Sequence, residues 1–246
     1  TKAPPFSPPP SIQDTIRQLW DFVLRPHLVE REHKVLEKKL PLIFQITFLE
    51  LILQTLLLVL LALLYEVFEV EYLETSLTRQ FITDIPFLPL FVTDVLLGPV
   101  KEELIFRMPL VYSRGFIVVA LLVFLFSYGT LLWSTFNTSP LLYLAGTLAT
   151  AALAVWFMTS KHIQENLHQI WKRYYSVVFY LLTAFFALMH LVNYKDTNLP
   201  LYLLFLLVLP KFVGGVFLGY TRLRLGMGWA VVQHMFNNVV ALLLLY

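Results

Sequence analysis

The sequence predicts an all-α, polytopic transmembrane helix bundle of about seven spans, with an N-terminal amphipathic helix. Three observations carry this expectation. Of 246 residues, 58% are hydrophobic and 14% charged, with a mean hydropathy of +0.72; that is more apolar surface than a soluble domain of this size can bury. Apolar stretches of roughly 17–25 residues recur, the length that crosses a hydrocarbon core of about 30 Å. Polar, proline- and glycine-containing segments separate them and read as turns.

Residues 1–41 form the first part. TKAPPFSPPP at 1–10 is rich in proline and lacks the apolar core of a cleavable signal, so none is expected. The chain starts at Thr1 and ends at Tyr246 inside an apolar run, as expected of trimmed termini. Residues 11–39 read as an amphipathic helix, with Ile12, Ile16, Leu19, Trp20, Val23 and Leu24 toward one face. Such a helix either lies on the membrane surface or packs beside the bundle.

Residues 42–246 form the membrane domain, with spans expected at 42–65, 84–112, 116–133, 139–158, 174–192, 200–220 and 228–246. Connection charges fit this segmentation. Residues 1–41 are basic, the 66–83 connection is acidic (Glu66, Glu69, Glu71, Glu74), and basic residues return at Arg114, Lys161, Lys172, Arg173, Arg222 and Arg224. The alternation favours a cytoplasmic N-terminus. Asn137-Thr138-Ser139 is a glycosylation sequon only in a secretory pathway, and Pro140 disfavours its use.

The absence of cysteine excludes a disulfide framework, a thiolate metal site and a cysteine nucleophile. A metal would be held by histidine and by carboxylate or amide oxygen. A net charge of +2, scattered over the connections, does not point to nucleic acid.

Charged groups within the spans carry the functional signal, because each costs at least about 2.5–3.5 kcal/mol at the bilayer centre unless it faces a cavity or a partner. Lys101, Glu102, Glu103 and Arg107 fall within seven positions of the second span. Glu103 and Arg107 stand one turn apart and can pair, while Glu102 points about 100° away. A buried ion network is the alternative reading. His190 follows Phe186 by one turn, and His234 precedes Asn238 by one turn. Each is open to a plainer role, as an interfacial residue or an interhelical hydrogen-bond donor. Three spans each offering inward polar groups favour one shared site. Glu50, Asp94, Asn193 and Asn237 stand aside as snorkelling, structural or supporting groups, and Gly215 with Gly219 as a close helix contact.

Together Glu102-Glu103-Leu-Ile-Phe-Arg107, Phe186-Ala-Leu-Met-His190 and His234-Met-Phe-Asn-Asn238 resemble the ordered EExxxR, FxxxH and HxxxN motifs of the CAAX protease and bacteriocin-processing (CPBP, Abi) family, which includes the type II CAAX prenyl endopeptidases. The resemblance covers about residues 95–240, including Gly98-Pro99 and the run Gly214, Gly215, Gly219. It implies an intramembrane metalloprotease-like endopeptidase acting on a peptide or lipid-modified protein. Glu102 would activate water and His190 would hold that water or a metal. His234 and Asn238 would stabilise the oxyanion or complete a metal site, and Glu103 and Arg107 would orient the rest. A divalent metal, zinc foremost, is then expected on Glu102, His190 and His234, although these residues lack the compact HExxH spacing; direct glutamate and histidine catalysis is the alternative. Other function classes are a membrane transporter or ion relay and a non-catalytic scaffold or immunity protein. The multi-pass chain would sit in the cell membrane of a bacterium or the endoplasmic reticulum of a eukaryote. Counting along the expected spans leaves His190 about 15 Å from the depth of Glu102 and His234; either a span is miscounted or a helix is broken, the second and sixth spans need not be simple rods, and the sixth, with Pro210, Gly214 and Gly215, is a candidate for the break.

Overall fold

A computed structural model describes residues 10–32, 36–67, 86–136, 139–194 and 200–245. Among them every regular element is helical and no strand occurs. Among the described residues, three helical stretches are long and apolar enough to cross a membrane: Lys38–Leu64, Tyr175–Val192 and Leu201–Arg224. Arg114–Gly129 and Leu144–Thr159 are shorter apolar helices. The proline-rich start, most of the acidic 66–83 connection and the Asn137-Thr138 sequon lie outside the described residues.

Helix α1 (Ile12–Leu24) starts at a capping box. Ser11 Oγ accepts from the Asp14 N–H, and the Asp14 carboxylate accepts from the Ser11 N–H. The Ser11 hydroxyl, donating to Asp14 Oδ2 at 2.6 Å, and the Ser11 N–H together hold the Asp14 carboxyl below its ordinary value. The helix ends at Leu24 rather than running to 39, because Pro26 disfavours helical geometry at Arg25. It buries Thr15, Leu19 and Phe22 and leaves Ile12, Ile16, Trp20 and Leu24 exposed along one stripe. Phe22 packs edge-on against Phe179 with ring centroids 5.0 Å apart.

Helix α2 (Leu36–Val67) follows. The expected second span is broken into α3 (Phe87–Leu90), a π-helical stretch (Phe91–Leu97), α4 (Gly98–Phe106) and a 3₁₀ turn (Met108–Leu110). The Gly98 N–H reaches back five residues to the Thr93 carbonyl, and Pro99 after it has no N–H with which to restore the α-helical ladder. Pro109 then turns the chain out of helix after Phe106, short of the expected 112.

Then come α5 (Arg114–Phe136), α6 (Pro140–Thr159), α7 (Lys161–Arg173), α8 (Tyr175–Met189, extended by a 3₁₀ turn His190–Tyr194), α9 (Leu201–Arg224) and α10 (Met227–Leu245). Helix α7 occupies what the sequence suggested was only a basic connection. It is tied down by Gln164, whose amide donates to the Phe157 and Met158 carbonyls at 2.8 Å each.

Helix α9 is the hub, packing on α8, α2, α10 and α1. It runs unbroken through Pro210, so the break expected there lies instead in the second span. Gly214, Gly215 and Gly219 let its neighbours approach closely. A Cβ on Gly219 would lie 2.6 Å from Phe179 Cε2, and Phe179 is fully buried. Gly219→Ala is therefore expected to destabilise the protein by about 1–3 kcal/mol, read as a lower unfolding midpoint of the purified protein; an unchanged midpoint would show that Phe179 can move. After α9, Gly226 takes φ 109° and turns the chain directly into α10.

Candidate active site

The depth mismatch expected from the sequence disappears once α4 and α8 are registered by contact. Tyr175 donates to the Leu110 carbonyl at 3.1 Å, and the Arg107 guanidinium lies 3.7 Å over the Phe186 ring. Residue numbers thus rise along one segment as they fall along the other, so the two run antiparallel. One turn onward from Phe186 is His190, and one turn back from Arg107 is Glu103, which puts them at similar depth. Gly215 makes the approach possible: a Cβ there would meet Thr183 at 2.9 Å, Phe186 at 3.2 Å and Arg107 at 3.3 Å.

The two adjacent glutamates have different surroundings. The Glu103 side chain is 0% exposed, and its Oε1 lies 3.5 Å from Arg107 Nε and 3.0 Å from His234 Nδ1. Glu102 retains 19% exposure and turns its Oε2 toward His234 Nε2 at 3.6 Å, just beyond hydrogen-bond length. Glu103 is thus a fixed internal anchor, while Glu102 opens on a cavity of about 430 Å³. His190, His234, Asn238 and Phe186 line the same cavity.

Hydrogen bonding assigns the imidazole tautomers. His190 Nδ1 lies 2.8 Å from the Phe186 carbonyl, which can only accept, so Nδ1 carries a proton and Nε2 is left as an acceptor. His234 Nδ1 likewise donates to the Glu103 carboxylate, and its Nε2 turns to Glu102. The Phe186 ring meets His190 and His234 edge-on, with centroids 4.8 Å and 5.9 Å apart. Asn238 spends one amide hydrogen on the Asp94 carbonyl at 2.7 Å, within the π-helical stretch. Its second amide hydrogen remains to serve the cavity.

All six residues singled out from the sequence therefore converge: Glu102, His190, His234 and Asn238 on the cavity, with Glu103 and Arg107 behind them. Lys101, part of the charged cluster singled out in the second span, also lines the cavity, as do Tyr128 and Lys211, which were not anticipated. Lys211, a cation inside a span, carried a usable signal; Tyr128 was indistinguishable from an interfacial aromatic until Lys101 Nζ was found 4.9 Å from its ring centre. Glu50, read as an acid that lines the cavity, snorkels or pairs, is fully buried.

The side chains expected to hold zinc, Glu102, His190 and His234, are not gathered into a ligand cluster. Among the described residues, no group of three or more His, Cys, Asp or Glu side chains is gathered to hold a metal ion. His190 and His234 each commit Nδ1 to a protein oxygen, which leaves Nε2 as the ring nitrogen open to a ligand, and His234 Nε2 faces Glu102 Oε2 at 3.6 Å. What the arrangement offers without a metal is a carboxylate beside two imidazoles and an amide donor, the groups needed to deprotonate water and to receive developing negative charge. No family model, curated protein or solved structure matches the chain.

Proposed function

We propose that the chain is an intramembrane endopeptidase of the CAAX protease and bacteriocin-processing type, hydrolysing a peptide bond in a membrane-associated or lipid-modified substrate. The observation that carries this reading is the convergence of Glu102, His190 and His234 on one cavity of about 430 Å³. The three motifs, in family order, support it. The reading includes a bundle of about seven spans, an N-terminal helix at the membrane surface and a multi-pass location in a cell or endoplasmic reticulum membrane.

In the proposed reaction, Glu102 takes a proton from a water held by His190 Nε2 while the water oxygen attacks the peptide carbonyl carbon. The new carbon–oxygen bond makes an oxyanion, to which Asn238 donates its second amide hydrogen. The carbon–nitrogen bond then breaks, and the departing amine takes the proton from Glu102. His234, held by Glu103, keeps the Glu102 carboxylate turned to the cavity. A low-dielectric site strengthens each of these interactions.

The test is incubation of the purified protein with a farnesylated CAAX peptide and, separately, an unmodified transmembrane peptide. Cleavage of either by wild type, with His190→Ala slower by about 10²-fold or more, supports the reading. Ion flux in proteoliposomes without cleavage would favour a transporter using the same charged groups.

A further inference from the structure

Glu50 stands in the middle of α2 with none of its surface exposed. Among the described residues no lysine or arginine forms an ion pair with it. Three amides satisfy its carboxylate instead. Gln233 Nε2 donates to Oε2 at 2.6 Å, Asn237 Nδ2 donates to Oε1 at 2.7 Å, and Gln54 Nε2 donates to Oε1 at 3.3 Å. Helix α9 leaves room for this group at Gly214, where a Cβ would lie 2.5 Å from Gln54 Nε2 and 3.2 Å from Glu50 Oε1.

Gln233 and Asn237 are one turn apart on α10, and His234 and Asn238 follow each of them by one residue, about 100° around the axis. The first stripe is gripped by α2 through Glu50. The second is gripped from the other side, His234 by Glu103 and Asn238 by the Asp94 carbonyl. Helix α10 is thus clamped in two directions, and the Glu50 carboxylate is shared by both residues of the first stripe.

We propose that Glu50 is a positioning residue of the active site, fixing the rotation of α10 about its axis and so the angle at which His234 and Asn238 enter the cavity. This rests on the hydrolytic reading above. A rotation of about 10° at a side-chain radius of about 5–6 Å moves the imidazole by about 1 Å, a displacement that can cost about 10²-fold in rate.

The test compares wild type with Glu50→Ala, Glu50→Gln and Asn237→Leu in lipid nanodiscs. Glu50→Ala is expected to lower kcat by about 30–100-fold with KM within about twofold. Glu50→Gln keeps an acceptor oxygen and should recover most of kcat. A folded Glu50→Ala protein with wild-type kcat, or one in which KM alone rises, would overturn the proposal. The same variants carry a readout that needs no turnover, the nitrogen-15 NMR signal of labelled histidine. The His234 Nδ1–H proton, bound to Glu103, should shift in Glu50→Ala and in Asn237→Leu and return in Glu50→Gln; an unshifted signal overturns the positioning role. If Glu50→Ala does not fold, Asn237→Leu decides by both measurements. If wild type cleaves nothing, the hydrolytic reading fails and the NMR comparison still decides whether Glu50 orients His234.

Discussion

Replacing Glu102 by alanine is expected to lower kcat for peptide cleavage by about 10²–10⁴-fold, the range for losing a general base. The protein should stay folded. Glu102 keeps 19% of its side-chain surface on the cavity, and His234, which it faces, remains anchored by Glu103. His234 keeps its bond to Glu103, so the unfolding midpoint should stay near that of wild type. Glu102→Gln should be equally inactive, since an amide matches the shape but cannot take the proton. Parallel cleavage and thermal unfolding measurements check both halves of this expectation. Wild-type kcat in either variant would remove Glu102 from the chemistry.

Arg107→Ala is expected to act on stability as strongly as Glu102→Ala acts on rate. Arg107 is among the largest fully buried side chains, with its guanidinium over Phe186 and its Nε toward Glu103. Removing it leaves a fully buried Glu103 carboxylate facing only His234 and opens a void beneath the Phe186 ring. Breaking one side of a buried pair costs about 3–5 kcal/mol. Arg107→Lys should not restore the loss, because an ammonium cannot stack flat on the ring while reaching the carboxylate. Equilibrium unfolding in mixed micelles reads the difference. A variant as stable as wild type would mean that Glu103 gives up its charge or finds another partner.

The contrast between these two residues was half visible in the sequence. The i, i+4 spacing of Glu103 and Arg107 announced their pairing, and the 100° offset announced that Glu102 faces elsewhere; both follow from helix geometry alone. The same spacing put His234 and Asn238 on one face of α10. Depth was not legible, because it depends on where each helix meets its neighbour, and that is set by the glycines of α9 and by the π-helical stretch before Gly98. A π-turn leaves no periodic trace in a seven-residue apolar run such as FVTDVLL. Proline and glycine marked both the second and the sixth span as irregular; only the second is broken, since the packing around α9 tolerates one missing N–H at Pro210.

Glu50 and Lys211 show a second limit. A single charge within a long apolar run is compatible with snorkelling, pairing or a cavity, and only its neighbours decide. For Glu50 those neighbours are 183 and 187 positions away in the chain, at Gln233 and Asn237. Helix α7 escaped for a different reason: its KHIQENLHQIWKR is polar enough to read as a connection, and it is held by tertiary contacts as well as by its own pattern.

The most direct measurement is mass spectrometry of a farnesylated CAAX peptide after incubation with the purified protein in water enriched in heavy oxygen. If Glu102 activates water for attack on a peptide carbonyl, the new carboxyl terminus carries one heavy oxygen atom with wild type, and Glu102→Ala forms about 10²-fold less product or lower still. Intact peptide with wild type, or equal product with both proteins, would contradict a hydrolytic cavity built around Glu102, His190 and His234.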